Sequence, residues 1–399
     1  MMLKNPIRTG SRRINVAATS AVLLASASSL IGQITPLSLT VLEGPAGFLT
    51  TSALSVNESG QVAGLATFPS SVQHAILYSG GVTTDLGTLS SGTQSSAQSI
   101  NASGQIAGLS ATNVAATQHA FLYSGGPLQD IHTAGSNTSQ AFGINDSGAI
   151  TGARFVSSPT SANRAFVRSS TGVTTTLGTL GGNTSSGRAI NNSGQVTGDS
   201  NLATSGPSHA FLYSGSGLVD LGTFGGTTSS GRAINDLGQV TGTAATAISG
   251  QTHAFLYSGS GLVDLGTLGG ATSTGNGIND LGQVVGISVT ASNQQRAFLY
   301  SGGTMYNLQD AFASLMSDGT SVGFSQLTTA ADISDSGWIV GTGLYRTASG
   351  ANVGRGFIAR IQQPSATVPD TGCTVALLAL ASACAALSGL RRRRASRHR

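Results

Sequence analysis

Three phrases recur in fixed order through the middle of this chain, and their sevenfold recurrence restricts the possible folds more than any other feature. The stretch from Arg232 to Gly270 carries one copy of each. An Ile-Asn-x-x-Gly-Gln-Val-x-Gly phrase places its turn glycine at Gly60, Gly104, Gly148, Gly194, Gly238, Gly282 and Gly337. A His-Ala-Phe-Leu-Tyr-Ser phrase begins at His74, His119, Arg164, His209, His253, Arg296 and Arg355, so five of its six steps are 43 to 45 residues and the last is 59. The third phrase, Asp-Leu-Gly-Thr-Leu, stands at Asp85, Asp220 and Asp264, with degenerate copies at Asp130, Thr176 and Asn307. A period of this length with short strands inside each unit marks a propeller or a solenoid.

Within a unit the chemistry of the turns sets the strands. A strand ending at Ala233-Ile234 meets Asn235-Asp236-Leu237-Gly238, where Asn bonds its own backbone and Gly supplies a positive φ, and this predicts a bulged hairpin. A second hairpin runs from His253 to Ser258, through Gly259-Ser260-Gly261, into Leu262 to Thr267. Phrases such as Ala254-Phe255-Leu256-Tyr257 do not alternate polar and apolar residues, so both strand faces need cover, as in sheets stacked about an axis. The expectation is an all-β, seven-bladed β-propeller of four-stranded blades. The last unit ends at Gly356-Phe357-Ile358-Ala359-Arg360 without a fourth strand, and a stray copy of the third phrase lies at Leu37 to Leu42. That N-terminal strand is predicted to pair beside Phe357 to Ile361 and close the ring, since an open ring would leave a wet strand edge. An open solenoid would need polar caps, which the sequence does not offer. Between Asn307 and Ser334 the seventh unit carries an insertion in which Leu308, Phe312 and Leu315 have helical spacing, predicting a short packing helix over one end of the ring.

Repeats lengthen a domain without dividing it, so residues 33–362 are read as one propeller. The basic balance of the whole chain is confined to its ends: ten of the 19 Lys and Arg lie before residue 28 or after residue 390, and the middle carries 9 basic against 15 acidic residues. Nucleic acid, which requires clustered cations, is therefore not an expected partner. Both cysteines, Cys373 and Cys384, lie outside the repeats, which must hold together by packing. Residues 1–32 have the basic start, apolar stretch and small residues of a signal peptide, with cleavage expected between Ala27 and Gln33. Residues 363–372 form a spacer and motif, and 373–390 are an apolar run long enough for a transmembrane helix. The basic tail 391–399 opens with Arg391, Arg392, Arg393 and Arg394, a stop-transfer cluster expected to remain in the cytoplasm.

With HAFLYS at His119, His209 and His253 and the INxxGQVxG phrase at Asn191 and Asn235, the repeats resemble the HAF repeat family of bacterial extracellular repeat proteins over nearly all of residues 37–361. The final unit, ISDSGWIVGTG followed by RGFI, resembles that family's usual last repeat. The tail is similar to the sorting signals of the PEP-CTERM class, in the variant with a Val-Pro-Asp-Ser-Gly core. Here the motif is Val368, Pro369, Asp370, Thr371 and Gly372, with Thr371 where that variant has Ser and Cys373 where Ser is usual before Thr374. This resemblance implies recognition by an exosortase-type sorting enzyme, cleavage near Thr371 and Gly372, and release or attachment at the surface of a Gram-negative bacterium.

No residue pattern requires a catalyst, cofactor or metal. His74, His119, His209 and His253 invite a zinc hypothesis, but Arg164, Arg296 and Arg355 hold the same position in other units and Arg is no ligand, so a strand-start cation packed on its neighbours is the expectation. The Asn-Asp-Ser-Gly turns lack the spacing of a calcium loop. Most acids sit at repeated positions, and the non-repeated ones, Glu43, Glu58, Asp199, Asp310, Asp318 and Asp332, form no partner pattern. The expected function is an exported, non-catalytic interaction or matrix protein, with exopolysaccharide or surface proteins as partners. The alternative is an extracellular glycan hydrolase or lyase, which would need two non-repeated carboxylates facing one bond.

Overall fold

A computed structural model of the protein describes residues 34–114, 117–132, 138–157 and 161–363. The signal peptide, the sorting motif, the transmembrane run and the stop-transfer arginines read from the sequence all lie outside these residues. Among the described residues no helix is long and apolar enough to cross a membrane.

The described chain is nearly all strand and forms a propeller-like array of four-stranded antiparallel sheets. In the fifth unit Gly225–Ile234, Val240–Thr246, Thr252–Tyr257 and Leu262–Asp264 pair in sequence order, which reproduces the two hairpins expected there. A single parallel bridge, Thr252 to Thr272, joins this sheet to the sixth. The last sheet is completed out of order, by Pro36–Leu42 pairing antiparallel to Asn352–Ile361 with Leu42 opposite Gly356 and Val41 opposite Phe357. The strand that the repeat count left over therefore pairs where the incomplete unit lacked one.

The core is divided among seven apolar clusters, each shared by two sheets. One holds Ala210 and Leu221 of the fourth unit with Val240 and Phe255 of the fifth, and another holds Val340 and Ile358 of the last unit with Val56, Val62 and Ile76 of the first. Adjacent residues Ala254 and Phe255 are both fully buried, which is why the strand could not alternate. Removing a phenylalanine-sized side chain from water contributes about 1.5–3 kcal/mol. The packing also explains two phrases at once, because Phe255 lies directly across from Gly242. A Cβ at Gly242 would stand 2.0 Å from the Ser230 carbonyl oxygen and 2.9 Å from the Phe255 ring, so the last glycine of the first phrase makes room for the phenylalanine of the second.

Two local expectations need correction. The bulge of the first hairpin is not at the turn glycine: the register shifts between Gly231 and Ala233, displacing Arg232, while Gly238 at φ +75 closes a regular turn. In the insertion only Leu308–Ala311 is α-helical, capped by the Asn307 side chain accepting from the Gln309 N–H. Leu308 and Phe312 are fully buried beside Val285, Leu299 and Phe324, but Leu315, in a following 3-10 turn, is exposed. The insertion thus forms a short packing helix against the core shared by the sixth and seventh sheets, but its α-helical part stops before Leu315.

Candidate functional site: the central cavities

The seven phrase-one turns, six opened by Asn and the last by Ser334, come together. Val56 through Glu58 and their counterparts in every other unit line a single cavity of about 250 Å³. Each buried asparagine serves its own turn and its neighbour's. The Asn235 Oδ1 accepts from the Gln239 N–H at 2.9 Å, while its Nδ2 donates to Gln239 Oε1 and to the carbonyl of Asn279 in the next unit at 2.9 Å. The same inter-unit bond runs from Asn57 to Asn101, Asn101 to Asn145, Asn145 to Asn191, Asn191 to Asn235, and Asn279 to Ser334. The asparagine that local chemistry explains as a turn residue is also the fastener between units.

One residue further on, a second belt surrounds the same cavity. Asp146 accepts from the Ala102 N–H, Asn192 from Asp146, Asp236 from Asn192, Asp280 from Asp236 and Asp335 from Asp280, at 2.7 to 2.9 Å. Ser334, where an asparagine would stand, gives way to a different device: Glu58 of the first unit accepts from the N–H groups of Asp335 and Ser336 with its two carboxylate oxygens. Glu58, which the sequence left without a role, thus joins the last unit to the first. Partial burial, and then its neighbours Asp280, Glu58 and Asp236, raise the Asp335 pKa, offset in part by the bond from the Asp280 N–H.

The level of the bulges is chemically different. In all seven first hairpins the register slips at an equivalent residue near the turn, and these residues are Leu54, Gln98, Phe142, Arg188, Arg232, Asn276 and Ala331. All seven line a second cavity of about 210 Å³ that shares Val56, Ile100, Ile190, Ile234 and Ile278 with the first. A bulge re-aims the side chain it displaces. Arg188 bonds Asp199 at 3.0 Å and lies over the Phe142 ring, 5.3 Å from its centre. Desolvation, and then the like charge of Arg188, hold the Arg232 guanidinium below the ordinary arginine range, with Asp199 opposing. Asp332, in the same wall, accepts from the Ser55 hydroxyl and the Val56 N–H, and burial pushes its carboxyl up to about 6.

The strand-start histidines do not meet one another at the centre. Each pairs within its own sheet with the aspartate of the third phrase: His74 with Asp85 at 2.8 Å, His119 with Asp130 at 2.7 Å, His209 with Asp220 at 2.9 Å and His253 with Asp264 at 2.8 Å. Where the position is Arg164 or Arg296, the third phrase has Thr176 or Asn307 instead. In the last unit the Arg355 guanidinium stacks on Phe48 at 4.5 Å and donates to the Leu49 carbonyl, which is the packed cation the sequence led one to expect. No group of three or more His, Cys, Asp or Glu among the described residues is placed to hold a metal. Sequence reasoning missed the bulge residues. They stand three residues before each phrase-one asparagine or Ser334, at a position that ranges over apolar, amide and cationic side chains, as other positions around the phrase also vary.

No family model matches this chain, and no curated protein matches it. Among solved structures the chain is similar to TolB from Acinetobacter baumannii (13% identity, 61% of this chain and 62% of that one, TM-score 0.42). It is also similar to an acylaminoacyl peptidase from Pyrococcus horikoshii (11% identity, 79% and 53%, TM-score 0.49). A gluconolactonase from Xanthomonas campestris matches over 83% of this chain and 97% of its own at 8% identity and TM-score 0.36. Likenesses this distant carry nothing about activity, and the architecture stands on the sheets described above.

Proposed function

We propose that this chain is an exported, non-catalytic binding protein in which seven sheets close into a β-propeller, and that ligands are taken at the level of the bulges. One observation carries the binding reading: the seven bulge residues, which range from apolar to amide to cationic between units, all line one cavity beside the repeated, mutually bonded turn residues. A position freed from the needs of the fold is available to a ligand. The carboxylates around the turn-end cavity are each engaged by a backbone N–H of an adjacent unit, which suits capping better than proton transfer. Ring closure is supported by the strand Pro36–Leu42 in the last sheet, by the apolar cluster shared by the last and first units, and by the Glu58 bonds between them. In this reading an exosortase-type enzyme recognises Val368 to Gly372, residues 373–390 hold the chain in the membrane until processing, and the repeats reach the cell surface, with exopolysaccharide as partner.

A glycan array probed with the purified protein tests the binding role. Saturable capture of extracellular polysaccharides without their cleavage is expected, and turnover of any arrayed polymer replaces this reading with an enzyme. Cell fractionation tests the export half, with unprocessed full-length protein in the cytosol as the outcome that removes it.

A further inference from the structure

We propose that the cavity at the level of the bulges is a carboxylate-binding site for an acidic saccharide unit, with Arg232 as the residue that grips the carboxylate. The inference rests on the binding role proposed above and names its ligand class. Two guanidiniums are brought into one cavity of about 210 Å³ by equivalent bulges in adjacent sheets. Their counter-charges are unequal. Arg188 has Asp199 at 3.0 Å, whereas Arg232, among the described residues, makes no hydrogen bond and no ion pair of bonding length. Asp332, the other carboxylate in the wall, is turned to Ser55, Val56 and its neighbour's N–H, so it does not serve Arg232. Like charges held together with one of them unpaired leave a fork of donors that a planar carboxylate matches with two parallel bonds.

The rest of the wall suits a hydroxylated ring. Gln98 donates to Ser96 Oγ at 2.7 Å and Asn276 donates to the Ala330 carbonyl at 2.9 Å. Each amide keeps its carbonyl oxygen as an acceptor for a sugar hydroxyl. Phe142, whose ring lies against Arg188, adds apolar surface to the wall. The acids of the turn-end cavity repel an anion approaching from that side, which directs entry to the opposite end.

The test is calorimetric titration of the full-length protein with glucuronate and galacturonate, with the neutral sugars glucose and galactose, and with inorganic phosphate and sulfate. Saturable binding of a uronate at one site per chain is expected, with no response to the neutral sugars. Arg232→Gln is expected to weaken uronate binding at least tenfold and Arg232→Lys to fall between, since a single ammonium cannot reproduce the fork. Because Arg232 has no bonded partner to lose, the melting temperature of Arg232→Gln should equal or exceed that of the parent, separating a lost site from a lost fold. Uronate binding that survives Arg232→Gln, or that is no tighter than binding of glucose or galactose, overturns the proposal, as does failure of both uronates to bind. Phosphate or sulfate binding as tightly as the uronates reduces the site to a small-oxyanion site and overturns the saccharide assignment. If polysaccharides are captured on an array with Arg232 irrelevant, the binding role stands and this site falls; polymer cleavage removes the binding role itself.

Discussion

Asp332 is the side chain whose surroundings most oppose its ordinary chemistry. Burial disfavours its charge more than the bonds from Val56, Ser55 and Ile333 favour it, and Glu58 adds repulsion, so its carboxyl titrates near 6 instead of 3.8. Between those values the folded protein retains a proton that the unfolded chain has released. The stability contributed by the neutral form is fully present below about pH 4 and is lost as pH rises through about 6, roughly 2–3 kcal/mol in total. Urea midpoints of Asp332→Asn and of the parent, measured from pH 4 to 7, are expected to diverge over that window in favour of the variant. A constant difference would show that Asp332 does not titrate there. In the sequence this residue was only an acid outside the repeat pattern, because the burial that raises its pKa, and the opposing bonds from Ser55 and Val56 more than 270 residues away, arise only on folding. The histidines were more legible. Where the second phrase opens with His in the first, second, fourth and fifth units the third phrase supplies Asp, and the eleven-residue spacing of each pair in the chain becomes a contact across a hairpin.

Among the elements, the strand Pro36–Leu42 does the most for its size. It covers the outer edge of the last sheet and places Leu42, fully buried, in the cluster shared with the first unit. Deleting residues 36–42 exposes that cluster and a row of unpaired backbone groups on Phe357 to Ile361, and the expected loss is at least about 3 kcal/mol. Thermal unfolding of the truncated chain with and without a synthetic PLSLTVL peptide checks this. The peptide is expected to recover part of the lost melting temperature, and a truncation that melts with the parent would show that the strand is dispensable. This partnership was readable because counting phrases left one strand spare and one sheet short. The insertion was less so: spacing at i, i+4 and i+7 suggested a helix through Leu315, but Phe312 leaves α-helical geometry and the following 3-10 turn leaves Leu315 exposed while Met316 packs on the core. The bulges were unreadable as such, since an extra residue in a hairpin leaves no mark on the turn phrase that follows it.

In the whole molecule, stability depends on each sheet having a covered face on both sides. In an open stack, end units fray independently, whereas a closed ring as proposed has no end from which to fray. Trp338, the single tryptophan, reports on the last sheet, and far-ultraviolet circular dichroism reports on all of them. Both signals are expected to follow one urea transition. Asn235→Ala, in the fifth unit and distant in sequence from Trp338, strips partners from the Gln239 N–H and the Asn279 carbonyl. Because the Asn279 carbonyl still accepts from the Gly282 N–H, the change should lower that common transition by about 1–3 kcal/mol, the cost of leaving one buried group, the Gln239 N–H, unpaired. A tryptophan signal that keeps its midpoint while the dichroism shifts would mean that units unfold separately.

The sequence by itself determined the unit: strand lengths, hairpin turns, the number of copies, the spare strand and the sheet that lacks one. These follow from local rules, in which glycine permits the turn, asparagine bonds its own backbone, and adjacent apolar residues demand cover on two faces. Only the tertiary structure decided which side chains share a cavity. Arg188 and Arg232 are each unremarkable beside their own turn; what makes them a pair is a register slip that turns both toward the same space, and electrostatic and desolvation effects depend on distances through space that chain order does not encode.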